Sequence, residues 1–190
     1  MTGAPPGIPR PPVALGCTAM AAAVGLVGLL IALGVVFLES GSDDGKATLD
    51  PVRSYALGSV TYVAQRNLFV VRLATGDFYA LADLDAANRA STTRRCRVGP
   101  VAATDPALPG LLEKLGSRLS PEAAGSTLVF REDCFGAVYD VTGLRLDADE
   151  GNLDRYPVEL DGKGNVVVNT AKRQCSRREA AALFATIPCK

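Results

Sequence analysis

The sequence contains no histidine in its 190 residues. This absence excludes every site that needs an imidazole: histidine general bases, Ser-His-Asp and Cys-His catalytic units, and most zinc and transition-metal centres. Tryptophan is also absent, and 20 Lys and Arg residues balance 20 Asp and Glu residues. Because a nucleic-acid partner needs an excess of positive charge to neutralise phosphates, the zero net charge argues against such a partner.

Charge is also absent from one long stretch, residues 13–38, which follows a Pro- and Gly-rich tail at residues 1–12. At about 1.5 Å per residue, a helix of this length crosses the roughly 30 Å hydrocarbon core of a bilayer. The stretch is longer than the roughly 7–15 apolar residues of a signal peptide, and no cleavage motif follows it. It therefore predicts an uncleaved transmembrane anchor, with the tail disordered.

The charges that flank this stretch predict its orientation. Arg10 precedes it, whereas Glu39, Asp43 and Asp44 follow it. Because positive flanks stay in the cytoplasm, we expect a single-pass protein of the cell membrane with a cytoplasmic N-terminus. The remainder of the chain is then extracytoplasmic and begins with a polar linker at residues 39–56.

The pattern after the linker is that of short strands joined by tight turns. It predicts a mostly β domain at residues 57–170, a small antiparallel barrel or sandwich with short helical insertions. Asp105-Pro106 begins the clearest insertion, because leucines at helical spacing follow it. Strands are expected at 59–63, 68–73, 77–81, 126–130, 137–140, 156–160 and 165–168.

The last segment, residues 171–190, is predicted to form a helix. Ser176 and Glu179 have the spacing of a capping box, and Pro188 marks the end. Four cysteines lie in the domain that we expect to be exported, an even number that suggests two disulfides. Because Cys175 and Cys189 bracket the helix, we expect them to pair and to dock it.

Three stretches of the domain resemble the Rieske iron–sulfur family. EDCFGAVYDVTG at 132–143 is similar to the second cluster loop of that family, C-x-C-H-G-S-x-[FY]-D-x-x-G. YPVELDGKGNVVV at 156–168 resembles the terminal hairpin, and GSVTYVAQRNLFVVRLATGDFYALAD resembles the opening sheet. The resemblance implies a Rieske-like fold for residues 57–170. Members of the family hold a [2Fe–2S] cluster with two Cys and two His ligands.

This sequence departs from the family at all four ligands. In the second loop, Glu132 stands at the ligand Cys and Phe135 at the ligand His. In the first loop, alignment of Cys96 with the disulfide Cys of the family places Ser91 at the ligand Cys and Thr93 at the ligand His. The resemblance therefore implies a degenerate site that binds no metal.

The family's disulfide is retained, so the resemblance implies a bond between Cys96 and Cys134. An alternative register makes Cys96 the ligand Cys and puts Val98 at the histidine, and it lacks the imidazole as well. Phe135 then has two possible roles, as an apolar plug in the core of the domain or as a docking contact for a partner.

These observations predict a non-enzymatic protein without a cofactor, a structural or interaction subunit of a membrane electron-transfer complex. Its expected partners are the membrane and protein subunits of that complex. The alternative is an electron-transfer [2Fe–2S] protein of a respiratory or photosynthetic complex, against which the missing histidine argues. An all-Cys cluster, a zinc site or a thiol oxidoreductase usually uses a CxxC motif, and this sequence has none.

Overall fold

Two strands at the centre of the fold, β3 (Leu68–Arg72) and β4 (Phe78–Ala82), are buried on both faces. They belong to a computed structural model that describes residues 45–89 and 93–189. The first four residues of β3, Leu-Phe-Val-Val, are all buried. Because successive side chains of a strand point to opposite faces, a strand that is apolar throughout needs a covering layer on each side.

The strands of the described residues form antiparallel sheets. The central sheet has the order β2-β3-β4-β8, with β2 at Ser59–Val63 and β8 at Arg155–Tyr156. A second sheet has the order β1-β10-β9, at Lys46–Pro51, Asn165–Asn169 and Val158–Leu160. A third has the order β5-β6-β7, at Val98–Pro100, Val129–Glu132 and Val138–Asp140. β11 (Ser176–Arg177) and β12 (Ala185–Thr186) form a short pair.

The two outer three-stranded sheets cover the two faces of the central one. Even-numbered side chains of β3 pack on β10, and odd-numbered side chains pack on β6 and β7. The first group consists of Leu68 and Val70 with Val166 and Val168 of β10. The second consists of Phe69 and Val71 with Phe130 of β6 and Tyr139 of β7. Burial of each large apolar side chain contributes about 1.5–3 kcal/mol. Because successive side chains of β3 point to opposite faces, this strand contributes to both halves of the hydrophobic core.

The helix predicted after Asp105-Pro106 is confirmed. It is α1 (Leu108–Leu115), the one α-helix of the described residues, and a 3₁₀ turn at Gly116–Arg118 follows it. α1 packs Leu108 and Leu115 against Val129, Val138 and Leu146, on the side of the third sheet. The prediction of a mostly β, antiparallel domain with a short helix is confirmed as well.

The β domain begins earlier in the chain than predicted. Residues 39–56 were expected to be a linker, but β1 lies within them and pairs with β10, from Lys46 with Asn169 to Thr48 with Val167. β1 alternates exposed residues with less exposed ones. Such an edge strand has too few apolar residues to stand out in the sequence, so its pairing comes from tertiary contacts.

The predicted C-terminal helix is wrong. Residues 175–189, which we call the C-terminal clip, form a two-stranded turn in which Ser176 pairs with Thr186. The Cα atoms of Cys175 and Cys189 lie 5.3 Å apart. A helix over their separation of 14 residues would rise about 1.5 Å per residue and would place these two Cα atoms about 21 Å apart. The disulfide therefore favours a hairpin over the helix that the local capping signals predict.

The predicted anchor, residues 13–38, lies outside the described residues. Across residues 45–89 and 93–189, no helix combines the length and the apolar character that a bilayer span requires. The described residues thus give the structure of the domain that follows the predicted anchor.

Candidate functional site

The two predicted cluster loops meet where the β5–β6 ladder ends. Val98 pairs with Glu132 in this ladder, so Cys96 stands opposite Cys134 two residues further out. The disulfide between these cysteines has a Cα–Cα distance of 5.2 Å. Directly opposed residues of antiparallel strands have about this spacing. The bond therefore extends the ladder by a covalent pair, and the pairing is the one that the resemblance implied.

The carboxylate of Glu132 organises this region, which we call the clipped tip and define as residues 93–98 and 132–137. Glu132 is 1 % exposed. Its carboxylate oxygens accept hydrogen bonds from the backbone N–H groups of Cys134 at 2.7 Å and of Phe135 at 2.5 Å. Hydrogen bonds to an ionised acceptor are stronger than neutral ones. Glu132 thus shapes the second loop from inside.

Phe135 lies at the apex of that loop, and 85 % of its surface is exposed. Gly136 follows with φ of +76°, a conformation that favours glycine, and its N–H donates to the Glu132 carbonyl oxygen at 3.1 Å. The turn leaves the ring of Phe135 in solvent. One of the two roles predicted for Phe135, filling the core of the domain, is therefore wrong, and the ring is accessible to a partner.

The other two degenerate ligand positions belong to the first loop. Thr93 is exposed and lies three residues before Cys96. Ser91 lies outside the described residues. The structure therefore brings together Glu132, Phe135 and the disulfide, and it leaves Thr93 on a solvent-exposed part of the same tip.

The clipped tip does not fit a Rieske [2Fe–2S] cluster, which needs two thiolates and two imidazoles. The sulfur atoms of Cys96 and Cys134 are bonded to each other, so neither is a thiolate. With Glu132 they form the one group of metal-ligand type in the described residues, with ligand atoms within 4.8 Å of one another. The phenyl ring of Phe135 offers no ligand atom, and the sequence has no histidine.

A buried carboxylate that the sequence analysis did not single out connects the first loop to the central sheet. Asp83 directly follows β4 and is 1 % exposed. It accepts hydrogen bonds from Arg94, from Arg97 at 2.8 Å and from the Tyr62 hydroxyl at 3.0 Å. Burial, together with the hydrogen bond and the charge of Asp83, raises the pKa of Tyr62. The feature of the sequence that could have indicated this buried carboxylate is an acidic residue at the end of an apolar strand.

A second buried carboxylate connects residues that lie far apart in the sequence. Asp154 directly precedes β8, and it accepts hydrogen bonds from Nε and Nη2 of Arg89 at 2.6 and 2.7 Å. Arg173 forms a longer ion pair with it at 3.7 Å. The hydrogen bond to Asp154 raises the pKa of Arg89. Arg89 and Arg173 are thus gathered at one edge of the central sheet.

The C-terminal clip is held by a buried amide. The side-chain nitrogen of Asn152 donates to Ser176 Oγ at 3.1 Å and to the Leu183 carbonyl oxygen at 3.0 Å. The backbone N–H of Asn152 donates to the Ser176 carbonyl oxygen at 3.0 Å. Asn152 is 0 % exposed. These bonds use the same Ser176 that the sequence suggested as a helix cap.

A cation stacked between two rings also secures the clip. The guanidinium carbon of Arg155 lies 3.7 Å from the ring centre of Phe184 and 4.7 Å from that of Tyr79. Arg155 Nε donates to the Thr142 carbonyl oxygen at 2.8 Å. Burial lowers the pKa of Arg155. Phe184 thus packs onto the domain, in contrast to Phe135.

No protein-family model matches the chain, and no curated protein matches it. One similar crystal structure is described as the small subunit of an NADH-dependent nitrite reductase from Mycobacterium tuberculosis. It is 14 % identical, with a TM-score of 0.36, and the overlap covers 65 % of this chain and 92 % of that chain. Another, described as a nitrite reductase NADPH small subunit, is 13 % identical, with a TM-score of 0.33 and coverage of 65 % and 96 %. Neither similarity carries a function or a site residue to this chain.

Proposed function

We propose that the chain is a membrane-tethered, extracytoplasmic, Rieske-like protein that binds no cluster and serves as an interaction subunit of a membrane electron-transfer complex. In this proposal the clipped tip docks on a protein partner. The observation that carries it is the exposure of Phe135, 85 % in solvent, on a loop that is closed by a disulfide. The role is structural, and no catalytic step is assigned to the domain.

The rigidity of the tip supports docking. Binding costs free energy for each side chain and loop that must be ordered, and a loop that is ordered beforehand avoids that cost. The disulfide, the two hydrogen bonds to Glu132 and the turn at Gly136 all restrict the backbone beside Phe135. Large aromatic anchors that enter a pocket on the partner typically contribute most of the binding energy.

The groups around Phe135 indicate the chemistry of the partner. The side chains of Arg94 and Arg97 are 37 % and 42 % exposed, whereas the side chain of their acceptor Asp83 is buried. Arg95 is exposed too, with Asp133 as the exposed acid of the second loop. The outer surface of the first loop therefore offers mainly guanidinium donors. A matching partner has an apolar pocket with carboxylate or carbonyl acceptors at its rim.

The absence of a cluster is part of the proposal, and the sulfur chemistry of the tip supports it. No observation favours the alternative of electron transfer by a [2Fe–2S] centre. Iron analysis and visible absorption of the full-length chain, purified anaerobically, test the point. We expect no iron and no red-brown colour. Stoichiometric iron would overturn the proposal, because it would require a cluster held without histidine.

The membrane tether rests on the uncharged stretch at residues 13–38 and on the charges that flank it. Protease added to intact cells or spheroplasts should remove the domain, and a cytoplasmic control protein should survive. Full protection of the domain would contradict the proposed orientation.

Docking through the tip is tested by a photo-crosslinking residue at position 135 in the full-length chain, expressed in its native membranes. Leu160 provides a matched control, because it is an exposed apolar residue, 56 % in solvent, on a different sheet. We expect position 135 to give one discrete adduct with a membrane-complex subunit that position 160 does not give. Equal crosslinking at both positions would contradict a docking role for the tip.

A further inference from the structure

We propose that a polar cavity behind the first loop of the clipped tip binds a phosphate group, either inorganic phosphate or the terminal group of a small phosphate monoester. The cavity has a volume of about 110 Å³. Its charged walls are Arg66, Arg89, Arg94, Arg173, Asp83 and Asp154. The proposal does not depend on the docking role of Phe135.

The cavity carries a positive charge. Four guanidinium groups and two carboxylates line it, which gives a formal charge of +2. Arg97 adds a positive charge behind Asp83, and Asp85, which interacts with Arg89, adds a negative one. The sum stays at +2, the charge that a phosphate dianion neutralises. Because the sequence has no net charge, this local excess is a property of the fold.

The two carboxylates position the arginines. Asp83 and Asp154 are each 1 % exposed, and each is already paired with guanidinium groups. Arg89 binds both oxygens of Asp154, at 2.6 and 2.7 Å, which fixes the plane of its guanidinium. A ligand that enters the cavity therefore meets guanidinium groups that are held in place. Such preorganised forks suit the tetrahedral oxygens of phosphate.

The size of the cavity limits the ligand. Sites for drug-sized ligands have volumes of about 300–1,000 Å³, and a water molecule occupies about 30 Å³. A cavity of about 110 Å³ thus holds three or four waters, or one small oxyanion in their place. Only the phosphate of a larger molecule would be enclosed, with the rest of that molecule outside.

Isothermal titration of the full-length chain with inorganic phosphate, and separately with glycerol phosphate, tests the site at constant ionic strength. We expect saturable binding with one site per chain. Tighter binding of glycerol phosphate would identify the ligand as a monoester, and tighter binding of inorganic phosphate would identify the free ion. The lack of saturable binding by both would overturn the proposal.

Variants separate a built site from diffuse charge. Arg173→Gln removes a wall residue whose ion pair with Asp154 is long, at 3.7 Å, so Asp154 keeps Arg89 as its partner. We expect it to weaken phosphate binding about tenfold, the loss typical of one charged hydrogen bond. Arg53→Gln removes the same charge from an exposed position outside the cavity, and less than about a twofold loss is expected. Equal losses in the two variants would overturn the site.

Discussion

The clipped tip and the C-terminal clip use the same two devices to hold a segment that has little regular structure. Each contains one disulfide, and each has one buried polar side chain that satisfies its backbone: Glu132 in the tip and Asn152 beside the clip. They differ in the direction of their phenylalanine. Phe184 packs on Arg155, whereas Phe135 is 85 % exposed.

This difference indicates what each segment contributes. In the C-terminal clip the restrained backbone returns an aromatic ring to the domain, so the clip stabilises the fold. In the clipped tip the restrained backbone holds a ring in solvent, where it contributes almost nothing to folding. A restrained loop that holds an exposed aromatic ring is the arrangement expected for a docking contact.

The two disulfides should give the largest effects on stability. Replacement of both Cys96 and Cys134 by Ala should lower the free energy of unfolding by about 4 kcal/mol, because the bond closes a loop with a separation of 38 residues. For the pair Cys175 and Cys189, with a separation of 14, we expect about 3 kcal/mol. Urea unfolding of the full-length chain in mild detergent, with the oxidised wild type as control, measures both. The opposite order would show that loop entropy does not dominate.

The carboxylate of Glu132 should have the next largest effect. Glu132→Gln keeps the length of the side chain, but its amide places a donor opposite one of the two backbone N–H groups, of Cys134 or of Phe135. A lost hydrogen bond to a charged group costs about 1.5–3 kcal/mol, and we expect a loss in this range by urea unfolding. Glu159→Gln, at an exposed position of β9, is the control and should change stability by less than about 0.5 kcal/mol. If Glu132→Gln left the free energy of unfolding unchanged, the carboxylate would not organise the loop.

The sequence predicts the parts of this fold that depend on neighbouring residues. Short β-prone runs and the turn residues between them located β2, β3, β4 and the hairpin around residues 161–164, and leucine spacing located α1. The prediction of a C-terminal helix is wrong because the capping signals are local, whereas the disulfide and the hydrogen bonds of Asn152 are tertiary contacts. β1 was missed because an edge strand needs few apolar residues.

The candidate site likewise has one part that could be predicted from the sequence and one part that could not. The resemblance to a family predicted the bond between Cys96 and Cys134, and it placed Phe135 in the second loop. It could not identify the arginines around Asp83 and Asp154, because those pairs form between distant segments: Arg89 and Asp154 are 65 residues apart. Charge patterns along a chain do not show which charges the fold will bring together.

The ring of Phe184 should have a smaller effect than the disulfides or Glu132. Phe184→Ala removes a half-buried ring and its contact with the guanidinium of Arg155, 3.7 Å away. Partial burial and a cation–π contact together contribute about 1–2 kcal/mol. Urea unfolding should show a loss of that size, and Phe184→Leu, which keeps much of the apolar area, should lose less. An unchanged stability would mean that the clip is held by its disulfide and Asn152 alone.

Phe135→Ala should have the smallest effect on stability. Its ring is 85 % exposed, so its removal returns little apolar surface to water, and we expect a change within about 0.5 kcal/mol. The backbone around it should be unaffected, because the disulfide and the Glu132 hydrogen bonds do not involve the ring. The same variant should nevertheless no longer co-purify, from mild detergent, the partner that the photo-crosslinking residue at position 135 identifies. A loss of stability of about 2 kcal/mol or more would instead show that the ring packs on the domain, and it would remove both the contrast with Phe184 and the exposure on which the docking role rests.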